Sequence, residues 1–87
     1  MSAALYRLAR GVRLRRQAGG EAMLLVPEGI LSLNDTAAAA LELADGSRDF
    51  ETIVAALSKT FDASQSILSQ DVRELFEALV ARGFVIP

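Results

Sequence analysis

The hydrophobic pattern of this 87-residue chain changes its period near Asn34. Before Asn34, apolar side chains alternate with charged ones or form runs too short for a helix. After it, they recur every three or four residues, which is the spacing of an amphipathic helix. The sequence therefore predicts one α+β domain in the winged-helix style, with a three-stranded antiparallel β-sheet followed by three α-helices.

Three short segments form the predicted sheet. Residues 12–15 alternate apolar and charged side chains, residues 17–21 resemble a glycine turn, and residues 22–26 are an apolar run, so together they predict a β-hairpin. A turn over residues 27–29 leads to a third strand at residues 30–33. The last two strands are apolar on both faces, so we expect one face to pack on the helices and the other to be covered or to bind a partner.

The helices are predicted from their capping residues and apolar stripes. Asn34 begins the first helix, which ends at Asp45 and Gly46. Asp49 begins the second helix, which carries an apolar stripe as far as Phe61. Three residues are candidate caps of the third helix: Asp62, Ser64 and Ser66. That helix ends near Gly83, and we expect the apolar tail after it to pack back on the domain.

The side chains that most enzymes use for catalysis are missing. The chain has no cysteine and no histidine, which excludes zinc fingers, thiolate clusters, Ser-His pairs and imidazole acid/base chemistry. Its eleven acidic residues are spread over predicted helix surfaces, caps and turns, as is typical of solvated faces. We therefore expect no enzyme activity, no catalytic residue, no metal site and no cofactor.

Charge is distributed unevenly along the chain. Five arginines and no acid occur within residues 1–16, whereas the rest of the chain holds the other four basic residues and all eleven acidic ones. This basic segment predicts either a solubilising terminus, disordered over residues 1–8, or a contact with an acidic peptide, a protein or a phosphate backbone. No apolar run approaches the roughly 18 residues that cross a bilayer. We expect a cytoplasmic protein without a membrane partner.

Two kinds of partner suit the predicted fold. A winged helix often binds nucleic acid, but the third predicted helix carries Asp71, Glu74 and Glu77, which phosphates would repel. A three-stranded sheet also has two open edges, and an extended peptide can pair with one of them while its alternate side chains enter a groove beside a helix. The same edge can pair with a second copy, so both a monomer and a homodimer are compatible with the sequence.

Several segments resemble, in order and spacing, the PqqD-like family of precursor-peptide recognition domains. The segments are residues 12–15, 24–29, 33–38, 41–48, 53–54, 71–72 and 79–85. The resemblance implies a peptide chaperone and adaptor in pyrroloquinoline quinone biosynthesis. Such an adaptor binds the ribosomally made precursor peptide PqqA and presents it to PqqE, a radical S-adenosylmethionine enzyme that holds the reactive cofactors.

The resemblance also implies where the peptide binds. Family members bind the leader as an added strand along the third strand, in a cleft bounded by the third helix. The positions that match in this chain are Ile30, Leu31, Ser32 and Leu33 on the strand, and Val72, Arg73 and Phe76 on the helix.

The helix positions have alternative roles. Val72 and Phe76 also lie on the apolar stripe of the third helix, where we expect at least one of them to be core. Arg73 is either a partner for an acidic leader residue or an ordinary solvated charge. Ala44 and Phe84 stand where many family members have cysteine and tryptophan. These departures leave open a recognition domain for another ribosomally made modified peptide.

Overall fold

The computed structural model describes residues 4–17 and 19–87. Its elements in chain order are β1 (Leu5–Leu8), β2 (Arg13–Arg16), β3 (Ala22–Val26), β4 (Gly29–Leu33), α1 (Asp35–Leu43), β5 (Asp45–Asp49), α2 (Phe50–Thr60), α3 (Gln65–Ala81) and β6 (Val85–Ile86). The strands form two antiparallel sheets, with strand orders β2-β3-β4 and β5-β1-β6. We call them the first sheet and the second sheet.

The first sheet confirms the three predicted strands and the α+β fold class. β3 lies in the middle, and its residue Leu24 is opposite Leu14 of β2 and Leu31 of β4. This row faces the helices, and Leu24 is fully buried. α1 lies against all three strands, so one face of the sheet supplies the floor of the core.

The second sheet was not predicted. β1 pairs with β5 on one side and with β6 on the other, so residues far apart in sequence build it. Disorder was predicted over residues 1–8, but Leu5–Leu8 form β1, so the prediction is wrong for these four residues. Residues 1–3 lie outside the described part of the chain. The apolar tail packs back as predicted, with Val85 buried. Because of this extra sheet, the likeness to a winged helix is a loose one.

The side chain of the residue that precedes each helix caps its N-terminus. Asn34 and Asp49 each accept a hydrogen bond of 2.8 Å from a backbone N–H three residues later, as predicted. Among the three candidates for α3, Ser64 is the cap, and it accepts from the N–H of Ile67 at 3.2 Å. Hydrogen bonds donated by Thr52 hold the pKa of the Asp49 carboxyl below its ordinary value. Within the described residues, no helix has the length and apolar character that a membrane crossing requires.

One hydrophobic core joins both sheets to the helices, and Phe76 of α3 packs there against aromatic side chains of two other elements. Its ring centroid is 4.8 Å from that of Tyr6 on β1 and 6.4 Å from that of Phe50 on α2. Only 2% of Phe76 is exposed. The ring therefore holds α3 against the second sheet and α2 at the same time.

Replacing Phe76 by alanine is expected to lower the free energy of unfolding by about 3–5 kcal/mol, because it leaves a cavity where three elements meet. The measurement is urea unfolding followed by circular dichroism. Glu77→Ala is the matched control, since Glu77 is an exposed neighbour on the same helix, and we expect it to change stability by less than about 0.5 kcal/mol. A Phe76→Ala variant as stable as the control would contradict this account of the core.

Candidate functional site

β4 is an edge of the first sheet, since no strand in the described ranges 4–17 and 19–87 pairs with its outer side. Ile30 is 63% exposed and Ser32 is also exposed. Leu31 and Leu33 alternate with them and pack against the core. The strand therefore presents an open backbone edge that is anchored by its inward side chains.

The β3–β4 hairpin determines which backbone groups of β4 are free. Its two strands are joined by a two-residue turn, and the pair that flanks such a turn exchanges both of its hydrogen bonds. Bonded pairs alternate with pairs that exchange none. Counting from the turn, Leu31 and Leu33 bond to β3, whereas the N–H and C=O groups of Ile30 and Ser32 point to the open edge. The turn of the β2–β3 hairpin gives the same alternation across β3.

The two edges of the first sheet differ in charge. β2, at the far edge, carries Arg13, Arg15 and Arg16, and the guanidinium of Arg16 is ion-paired with Glu42 of α1. Charged side chains on an edge strand discourage further strand pairing. β4 has no charged residue at all. Of the two edges, β4 is therefore the better template for an added strand.

A cleft of about 480 Å³ opens at the end of β4, between the first turn of α1 and the middle of α3. Its lining residues are Asn34, Thr36, Ala37, Asp71, Val72, Glu74 and Leu75. The α3 side of this cleft combines two carboxylates, from Asp71 and Glu74, with the half-buried side chain of Leu75. A chain lying along β4 would pass beside this acidic and partly apolar wall.

Two of the helix residues predicted from the family resemblance lie in the core. Val72 lines the cleft, but only 1% of it is exposed, so it can offer a bound chain little contact area. Phe76 packs beneath Tyr6, as described above, and is not among the cleft residues. The role of both residues in peptide binding stays a prediction, and the structure gives them a clear role in packing.

Arg73 lies on the opposite flank of α3 from the cleft. Its guanidinium carbon is 4.5 Å from the centroid of the Phe50 ring, and it lines a separate pocket of about 850 Å³ between β1, α2 and the start of α3. Arg73 was predicted to border the cleft on the helix side. The residues of α3 found there instead, besides Val72, are Asp71, Glu74 and Leu75. Leu75 was not predicted as a cleft residue. Its spacing of four from Asp71 puts both on one flank of the apolar stripe.

Comparison with known proteins identifies the family of this chain. The family model described as "Coenzyme PQQ synthesis protein D (PqqD)" matches residues 21–85. The chain belongs to the PqqD family. A PqqA binding protein from Methylococcus capsulatus is 43% identical to this PqqD-family chain over 63 residues, which are 72% of the chain and 66% of the relative.

Two solved structures share the fold. One is the solution NMR structure of the PqqD truncation of Methylobacterium extorquens PqqCD, a stand-alone recognition element for ribosomally synthesised and post-translationally modified peptides. It matches with a TM-score of 0.80 and 34% identity, over 94% of this chain and 88% of that one. The other is lasso peptide synthetase B1 in complex with the leader peptide, with a TM-score of 0.78 and 22% identity, over 97% of this chain and 100% of that one. At that identity the second match shows the shared fold.

Proposed function

We propose that this protein is a noncatalytic adaptor of pyrroloquinoline quinone biosynthesis in the cytoplasm, which binds the precursor peptide PqqA and presents it to the radical S-adenosylmethionine enzyme PqqE. The observation that carries the proposal is the open edge of β4, where the backbone groups of Ile30 and Ser32 have no strand partner, with the cleft between α1 and α3 at the end of the strand. The name of the Methylococcus relative, PqqA binding protein, supports the choice of cargo.

The peptide binds as a fourth strand of the first sheet. Two β4 residues each offer one N–H and one C=O, so up to four new ladder bonds form, each contributing about 1 kcal/mol net. Alternate peptide side chains point inward and pack against Leu31, Leu33 and Leu75, at about 1.5 kcal/mol or more for each buried apolar group. After the cost of ordering the peptide, these terms give an affinity near the micromolar range, which suits a cargo that must be released.

The short length of β4 explains how one peptide can engage two proteins. The strand has five residues, so it orders only a short stretch of the peptide, of about 3.4 Å per residue. The rest of the peptide stays free to enter the active site of PqqE. The adaptor then needs no reactive side chain of its own, in keeping with a chain that has neither cysteine nor histidine.

Nucleic-acid binding has less support than peptide binding. Asp71, Glu74 and Glu77 are all exposed on α3 and repel phosphates. The two arginines of this region, Arg73 and Arg82, lie over aromatic rings of the same chain at 4.5 and 4.9 Å. The exposed face of α3 therefore lacks the free basic side chains with which a recognition helix reads DNA.

Ser32→Pro is expected to weaken PqqA binding about fivefold or more, because the missing N–H removes one ladder bond of about 1 kcal/mol. Proline is tolerated in an edge strand when its nitrogen faces away from the sheet, so the variant should stay folded. The matched control is Ser32→Ala, which keeps the backbone donor. Titration of each protein with synthetic PqqA measures the effect, and a folded Ser32→Pro variant with normal affinity would show that the peptide does not use this edge.

The acidic wall of the cleft predicts that PqqA places a basic side chain there. Neutralising both carboxylates with Asp71→Asn and Glu74→Gln should weaken binding by about 2- to 30-fold at low salt, since each exposed ion pair contributes roughly 0.2–1 kcal/mol. It should also flatten the dependence of affinity on salt. Glu77→Gln is the control on the same helix outside the cleft. Tighter binding by the double variant would mean that the peptide presents an acidic group instead.

A further inference from the structure

The first sheet has a second face, which is turned away from the helices. Strand alternation and register place six residues on it in two rows. The rows, read from β2 to β4, are Arg13, Leu25 and Ile30, followed by Arg15, Met23 and Ser32. We call this surface the outer face.

The outer face has an apolar centre, in which Ile30 is exposed and Met23 and Leu25 of the middle strand are half-buried. Met23, Leu25 and Ile30 are absent from the core and from the half-buried residues that pack against it, whereas Leu14 and Leu31 on the opposite face belong to that packing layer. Ile30 is also the most exposed of the large apolar side chains in the described ranges. Three neighbouring apolar residues without a covering element are typical of a binding surface.

Arginines border this apolar centre on the β2 side. Arg13 and Arg15 are both exposed, and the two ion pairs among the described residues involve Arg16 and Arg48 instead. The outer face is therefore free to meet carboxylates. Self-association through two outer faces would bring surfaces of the same charge together, and a nucleic acid would have to desolvate its phosphates over the apolar centre. A protein surface with an apolar patch bordered by carboxylates fits both features.

A peptide on β4 would enlarge the outer face. An added strand lies about 4.8 Å from β4, and its outward side chains extend the two rows beyond Ile30 and Ser32. We propose that the outer face is the docking surface for the enzyme that modifies the peptide, that this enzyme contributes an apolar patch with a carboxylate border, and that bound peptide completes the surface. This inference rests on the proposed function. It makes the enzyme bind the loaded adaptor more tightly than the empty one.

The experiment measures binding of PqqE, the enzyme proposed above, to three proteins with and without saturating PqqA. The proteins are the wild type, Arg13→Glu/Arg15→Glu, and a control of equal charge change, Arg7→Glu/Arg10→Glu, whose exposed arginines lie outside the first sheet. We expect the wild type and the control to bind PqqE at least about fivefold more tightly when loaded. When loaded with PqqA, the outer-face variant should bind PqqE about tenfold or more weakly than the loaded control does.

Separate titrations with PqqA distinguish the two levels of the proposal. Arg13 and Arg15 are two strands away from the β4 edge, so the outer-face variant should bind PqqA like the wild type, which also shows that it is folded. If the wild type does not bind PqqA, the proposed function fails. If the wild type binds both partners but the outer-face variant binds PqqE like the control, the docking surface is wrong. Met23→Ser provides a test without a charge change, and it should weaken PqqE binding while leaving PqqA binding intact.

Discussion

The backbone of β4 has hydrogen-bonding groups on two sides and a neighbouring strand on only one. Buried or partly buried backbone groups need partners, and an edge strand meets that need with water or with another strand. The far edge of the same sheet is protected by three arginines, whereas β4 carries no charge. The asymmetry between the two edges makes one of them a template, and the candidate site depends on it.

The hydrophobic core gives this edge its rigidity and its wall. Leu31 and Leu33 pack inward and fix the strand, while Phe76 holds α3 against the second sheet and α2, and Val72 is buried beside it on the same helix. An added strand then meets a preformed cleft, and little ordering of the protein itself has to be offset on binding. The buried residues of α3 therefore act on the site by holding the helix in position. The flank of α3 that carries Asp71 and Leu75 lines the cleft itself.

Much of this fold follows from local sequence patterns. Strand alternation, turn residues and helix caps such as Asn34 and Asp49 act within a few residues, so they were predictable. The second sheet was not, because its strands are short and Asp45–Asp49 has the composition of a turn. That segment becomes a strand only because β1, about 40 residues earlier, lies beside it. The strand residues of the candidate site were predicted from the hydrophobic pattern and the family resemblance. The α3 residues of the candidate site depend on which flank of this helix lies nearer β4. Packing of α3 against α1 and α2 determines that orientation, and the apolar stripe alone does not.

In the proposed complex, the cargo peptide pairs with the outward backbone groups of β4. The most direct test is an isotope-filtered NMR experiment on labelled protein with unlabelled PqqA. Strand addition at β4 should give cross-strand contacts from the peptide to the amide protons of Ile30 and Ser32, together with slowed solvent exchange of both amides. Contacts to the β2 edge at Leu14 and Arg16, with the amides of Ile30 and Ser32 unchanged, would contradict it.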